Sequence, residues 1–178
     1  GPLTRRIELL ERAEEHGAAA VSTKLTYSRV PLQGKFRTYS VPGRGLVGTW
    51  DQRLDENAGL KLIEAGRRKT SLVIIANFAG WDLDDWVKLA QKIEAAGAHA
   101  LEANFVCPNI SFSDLSGSSQ VPKTGASIGQ DPDLCKTIVK ALKAAVKIPL
   151  ICKIPSLELR NTAATALACQ QAGADALA

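Results

Sequence analysis

Glu15-His16-Gly17-Ala18-Ala19-Ala20-Val21, Ala95-Ala96-Gly97-Ala98-His99-Ala100-Leu101 and Gln171-Ala172-Gly173-Ala174-Asp175-Ala176-Leu177 repeat one pattern along the chain. In each, an amphipathic helix runs into a Gly and a strand of small apolar residues follows at once. Gly at that point is what a helix C-cap needs, because it adopts the left-handed conformation without a steric penalty. The small residues let the helix pack closely on the strand after it. A helix-to-strand unit recurring along the chain predicts an α/β fold with a parallel sheet.

Periodicity supplies the other elements. Helices are expected over Arg5–Glu15, Leu54–Lys69, Asp82–Ala96, Pro132–Val146 and Leu157–Gln171, with Asp131 as N-cap of the fourth and Pro132 in its first turn. Strands are expected over Ala18–Val21 (running into Ser22-Thr23-Lys24), Leu72–Asn77, Ala100–Phe105, Pro149–Ile154 and Ala174–Ala178. Residues 28–52, rich in Gly, Pro, Arg and Ser, read as irregular, and Val106–Asp131 as a long loop. No GxGxxG turn follows the first strand, which disfavours a dinucleotide-binding sheet. Polar residues recur at successive strand ends instead: Lys24, Asn77, Asn104 and Lys153. That pattern fits a (β/α)8 TIM barrel, whose ligands meet the C-terminal ends of the strands. About five of its eight strands would be present. The chain reads as a single domain over 1–178 and part of such a barrel, with the first and last strands, and the phosphate-binding loops after strands seven and eight, outside it. The absence of Met and the opening Gly1-Pro2 suggest a processed or engineered terminus.

Composition narrows the function classes. A hydrophobic content of 46% with 22% charged residues describes an ordinary globular chain. No apolar run is long enough to span a bilayer, so no membrane association is expected. The net charge of +4 is mild and scattered, so no nucleic-acid partner is expected either. Its one basic cluster, Arg67-Arg68-Lys69, falls at a helix end and complements the helix dipole. Cys107, Cys135, Cys152 and Cys169 form no CxxC pair, which argues against a metal site or a disulfide framework and points to a reducing cytoplasm. Cys135, Cys152 and Cys169 fall on buried faces and read as core.

Leu101–Asn109 carries most of the chemistry. It begins as a buried strand and ends as a polar loop holding Asn104, Cys107 and Asn109. Pro108 disfavours helical geometry at Cys107, so the chain stays extended where the polar groups appear. A thiol held there between two amides can move a proton while the amides fix a carbonyl or a ring. Most free cysteines are structural, but a structural strand end needs no amides around its thiol.

Taken together, Ser22-Thr23-Lys24-Leu25-Thr26, Leu101–Asn109, Gly129–Asp133 with its helix, Val146–Ile154 and Gln171–Leu177 resemble the flavin-dependent dihydroorotate dehydrogenases and the flavin domain of dihydropyrimidine dehydrogenase. The Gly129-Gln130-Asp131-Pro132 turn is most similar to the latter branch. The resemblance implies an FMN-binding barrel that acts on a CH–CH or C=C bond next to a carbonyl of a small dihydroorotate- or dihydropyrimidine-like substrate. It implies Lys24, Asn77, Asn104 and Lys153 at the flavin, with Lys153 stabilising the anionic reduced form. It further implies Cys107 as acid/base, with Asn104 and Asn109 on the substrate. A homo-oligomer or an electron-transfer partner subunit is compatible with it.

The chain departs from that family in two places. Val106 stands where a small polar residue commonly precedes the cysteine, and Gly45-Leu46-Val47-Gly48-Thr49-Trp50 replaces an Asn-bearing substrate turn. The loop Ile110–Ser127, rich in Ser and Gly, suits either a lid or a linker. Two other readings stay open. One is a non-catalytic barrel subunit or fragment that assembles with a partner. The other is a flavin-free lyase or synthase using Lys24 or Lys153 as a Schiff-base lysine.

Overall fold

A computed structural model describes residues 4–30, 37–49, 53–107, 125–155 and 161–178. Helix α1 (Ile7–Glu15) leads to β1 (Ala20–Ser22) and β2 (Thr26–Tyr27). A hairpin of β3 (Arg37–Val41) and β4 (Gly45–Thr49) follows, then β5 (Leu54–Asp55) and α2 (Glu56–Lys69). Next come β6 (Val73–Ala79), α3 (Leu83–Ala95), β7 (Ala100–Asn104), α4 (Ala126–Gly129) and α5 (Pro132–Ala145). The described chain closes with β8 (Leu150–Lys153), α6 (Thr162–Gln171) and β9 (Ala176–Leu177).

The strands of the main sheet are parallel and ordered β5-β2-β6-β7-β8-β9, with β1 also pairing with β6. From β6 onward each strand lies beside the next one in the chain, with no reversal of order. Right-handed crossovers that always step in one direction put every helix on the same face of the sheet. A dinucleotide-binding sheet reverses direction and is covered on both faces. The architecture is therefore an α/β fold consistent with a partial TIM barrel, and its sheet is not closed.

Helix boundaries follow local chemistry. Asp55, Asp82 and Asp131 each accept a hydrogen bond from the backbone N–H three residues on, at 2.8, 2.9 and 3.1 Å. Each thereby satisfies one of the donors left over at a helix start. This moves the start of α2 to Glu56 from the expected Leu54, because Leu54 and Asp55 pair with β2 before Asp55 caps the helix. The three repeat glycines, Gly17, Gly97 and Gly173, take φ of 86°, 93° and 98° just past their helices, as the sequence pattern requires.

Two regions differ from the sequence reading. Residues 28–52 contain the β3–β4 hairpin, whose Pro42-Gly43-Arg44 turn has Gly43 at φ 70°. Pro42 and Gly43, part of the Gly and Pro content that suggested irregular chain, form that turn, and Gly45 and Gly48 lie in β4. Within the expected loop 106–131, Ala126–Gly129 forms the short helix α4. Of the expected helix Leu157–Gln171, Thr162–Gln171 is helical and residues 156–160 lie outside the described part.

The core lies between the sheet and the helices. Trp86 of α3 is fully buried, with its ring 5.2 Å from that of Phe78 and 5.5 Å from that of Phe105. Cys135, Cys152 and Cys169 are buried where α5, β8 and α6 meet. Hydrogen bonding to Cys169 and burial push the Cys135 and Cys152 thiols far up, so both stay protonated. No group of His, Cys, Asp or Glu suited to a metal ion occurs among the described residues. No helix among them is long and apolar enough to cross a membrane.

Trp86 joins two strands to one helix, so Trp86→Ala should destabilise the fold by about 3–5 kcal/mol. Urea denaturation followed by far-ultraviolet circular dichroism measures it, and a loss below about 1 kcal/mol would show that Trp86 does not hold the layers together.

Candidate functional site

Strand register separates the two faces of the sheet. Residues paired across parallel strands point the same way, and successive residues alternate. Ile74, Ala76, Phe78, Leu101, Ala103, Leu150 and Cys152 therefore share one face, and all are buried against the helices. The opposite face carries Ser22 and Ile75, then Asn77 and Glu102, then Asn104 and Lys153. An apolar face against helices and a polar face away from them is the layout of a barrel wall seen from both sides.

The polar face is hydrogen-bonded from strand to strand. The Ser22 hydroxyl donates to Glu102 Oε2 at 2.9 Å, and Asn77 Nδ2 donates to the same oxygen. Asn104 Nδ2 donates to Asn77 Oδ1 at 3.1 Å. The Asn77 backbone N–H donates to Thr23 Oγ1 at 3.2 Å, tying β6 to the end of β1 just before Lys24. Asn77, Glu102 and Asn104 are 5–7% exposed, so these bonds replace the water that such groups otherwise require.

At the end of β7 the Asn104 side-chain amide oxygen, Oδ1, accepts the backbone N–H groups of both Val106 and Cys107, each at 3.0 Å. This turn fixes the backbone on which the Cys107 thiol stands. Arg53, 7% exposed, donates from Nη2 to Cys107 Sγ at 3.4 Å. Two glycines pack behind the turn. A side chain at Gly125 would collide with the Cys107 carbonyl, and one at Gly129 with the Phe105 carbonyl and the Pro155 ring. Thr165 of α6 anchors α4 by donating to the Gly129 carbonyl at 2.9 Å.

Tyr27 lies beside these groups. It is fully buried, and its hydroxyl has no hydrogen-bond partner among the described residues. Burial holds the phenol far above its ordinary value; Cys107 adds to the shift and Arg53 opposes it. The side chain is thus a neutral donor close enough to the thiol and the guanidinium to feel both.

Comparison with known proteins bears on what such a face belongs to. The model of the family described as "Dihydroorotate dehydrogenase" matches residues 49–178. The chain belongs to the dihydroorotate dehydrogenase family. It is 38% identical over 106 residues to dihydroorotate dehydrogenase B (NAD(+)), catalytic subunit, of Bacillus pumilus, covering 58% of this chain and 30% of that protein. It is 36% identical over 107 residues to dihydroorotate dehydrogenase A (fumarate) of Lacticaseibacillus paracasei, covering 60% and 33%. With the Bacillus cereus B-type catalytic subunit it shares 33% over 147 residues, covering 79% and 42%. The chain thus spans less than half the length of these family members. In fold it is similar to the carboxyl transferase domain of Rhizobium etli pyruvate carboxylase with pyruvate. That match has a TM-score of 0.59 at 18% identity, covering 94% of this chain and 22% of the other.

Against the sequence expectations, the structure joins Asn77, Asn104 and Cys107 through consecutive hydrogen bonds and sets Lys153 beside Asn104 in register. Lys24 follows β1 at the same end of the sheet, its backbone N–H bonded to the Thr4 carbonyl at 2.9 Å. Asn109 and most of the loop Ile110–Ser127 lie outside the described residues. Sequence reasoning missed Glu102, Arg53 and Tyr27. Glu102 could have been found, since it precedes Asn104 by two in an otherwise apolar strand and so shares its face. Arg53 and Tyr27 gave no local signal.

Removing the Asn104 side chain leaves two backbone N–H groups without their acceptor. Asn104→Ala should cost about 1–3 kcal/mol in urea denaturation and change the alkylation rate of Cys107 by iodoacetamide. An unchanged rate would mean that Asn104 does not set the turn. Tyr27 should resist ionisation where an ordinary tyrosine titrates, near pH ~10. Its proton is held more tightly in the folded state than in the unfolded chain. The stability this contributes is complete below about pH 10 and is lost as pH climbs beyond it. A phenolate absorbance titration of wild type against Tyr27→Phe that shows Tyr27 ionising normally would contradict this.

Proposed function

We propose that this chain contributes the flavin-facing wall of an FMN-dependent oxidoreductase. The enzyme acts on a CH–CH or C=C bond next to a carbonyl in a dihydroorotate- or dihydropyrimidine-like ring. The observation that carries the reading is the Cys107 thiol, held on a backbone fixed by Asn104 at the end of the strand whose open face also bears Glu102. Membership of the dihydroorotate dehydrogenase family supports the flavin.

The donor set fits such a group. A ring with carbonyl oxygens and ring nitrogens needs donors and acceptors arranged on a flat wall. Asn77, Asn104, Lys24 and Lys153 supply amides and ammonium groups at one end of a parallel sheet. When bound, FMN supplies a two-electron acceptor for hydride leaving a substrate carbon. Lys153 would hold such a group by its positive charge, and Lys24 and Asn77 would fix the ring in place. Cys107 takes the proton from the neighbouring carbon, so the substrate loses one hydride and one proton as the double bond forms. In the reverse direction the thiol returns that proton. Asn104, with Asn109, orients the substrate carbonyl.

The test uses the full-length protein. It should purify with bound flavin, and Cys107→Ala should keep that flavin while losing turnover by roughly 10²–10⁴-fold. Flavin reduction by substrate in single-turnover mixing should slow in step with turnover. Full-length protein that carries no flavin, or Cys107→Ala that reduces its flavin at the wild-type rate, overturns the proposal.

A further inference from the structure

We propose that His99 is a pH-released latch that joins the N-terminal ends of β6 and β7 only while its imidazole is neutral. The latch stands at the opposite end of the sheet from Asn104 and Cys107 and involves none of the residues of that site.

Two of the helix-to-strand repeats end alike. His99 follows Gly97-Ala98 and Asp175 follows Gly173-Ala174, each just ahead of a strand. The His99 backbone N–H donates to the Ile74 carbonyl at 2.9 Å, and His99 Nδ1 accepts the Ile74 N–H at 2.9 Å. Asp175 makes the same exchange with Leu150: its N–H donates to the Leu150 carbonyl at 2.9 Å, and its Oδ2 accepts the Leu150 N–H at 2.7 Å. Ile74 and Leu150 are fully buried, where an N–H without an acceptor is costly. In both places a side chain therefore closes the strand pair. At one of them the acceptor is a carboxylate, and at the other it is an imidazole.

The difference lies in what a proton does. A neutral imidazole has one N–H and one acceptor nitrogen, whereas an imidazolium has two N–H groups and no acceptor. The groups on either side of the His99 ring are both donors: the Ile74 N–H at Nδ1, and Arg67 Nη1 of α2 against Nε2. The Ile74 N–H is fixed by the sheet, while Arg67 is exposed, so Nδ1 is the acceptor and the ring proton belongs on Nε2. A second proton would set donor against donor on both sides.

The surroundings supply no counter-charge. Arg67 is the charge that acts on the ring, and β6 has no ionisable residue. In α3, Lys92 is paired with Glu56, and the Glu94 carboxylate accepts the N–H groups of Lys147 and Ile148. Glu14 of α1 is held by Ser71, and Glu102 of β7 by Ser22 and Asn77. Burial first, and then the Arg67 guanidinium, hold the imidazole below its ordinary value. The contribution of the latch is complete above the unfolded value of about 6.5 and is lost as pH falls below it toward the lowered folded value. Asp175 behaves otherwise: the hydrogen bond from Lys143, and then that from the Leu150 N–H, hold its carboxyl below the usual carboxylate range.

The test is amide hydrogen-exchange protection, followed by NMR in the full-length protein, with Leu150 as the internal reference for Ile74. The span runs from about pH 7.5 to about pH 4.5, which brackets an ordinary histidine at ~6.5. In wild type, Ile74 protection relative to Leu150 should fall about tenfold across it. The ratio should stay flat in His99→Asn, whose amide oxygen accepts at every pH. It should also stay flat in His99→Asp, which copies the Asp175 arrangement. Both variants keep an acceptor, so either carries the control if the other fails to fold. A flat ratio in wild type, or a fall of the same size in the variants, overturns the latch.

Discussion

One side-chain oxygen organises the chemistry of this fold. By accepting the N–H groups of Val106 and Cys107, Asn104 does for the end of β7 what another strand residue would do inside the sheet. The backbone can then leave the sheet without stranding buried donors. The Asn104 amide nitrogen is committed to Asn77, which is committed to Glu102, which holds Ser22. The backbone that carries the thiol is therefore tied through this network to three strands, β1, β6 and β7.

The open face is polar where a core would be apolar, and this is affordable only because each group answers its neighbour. Glu102 lies in the middle of a strand flanked by Leu101 and Ala103, which pack on the helices. Its carboxylate has two donors, Ser22 and Asn77. Partly satisfied networks of this kind destabilise a fold, whereas satisfied ones specify it. Tyr27 is the exception on this wall: its buried hydroxyl has no hydrogen-bond partner among the described residues.

Much of the architecture could be read from the chain because its signals are local. A Gly just past a helix, an Asp before one and alternation within a strand each act over a few residues, and the glycines Gly17, Gly97 and Gly173 adopt the conformation their pattern demands. The hairpin at Arg37–Thr49 escaped because glycines fall within β4 as well as in its turn, which hides the alternation of a strand. The site was legible as far as one strand allowed: Asn104 and Cys107 are close in sequence, and Asn77 and Lys153 end strands recognisable by themselves. Arg53 meets Cys107 across 54 residues through a two-residue strand, and no local pattern records such an encounter. Tyr27 likewise reads as an ordinary aromatic until register shows which way it faces.

The backbone at Gly125 approaches the Cys107 carbonyl so closely that no side chain fits between them. The points where the chain departs from and returns to the wall are therefore neighbours in space. Lengthening a segment whose ends already meet adds little closure entropy, since that cost grows only with the logarithm of length. A change in the number of residues between Cys107 and Gly125 therefore adds little entropic cost to the support of the thiol.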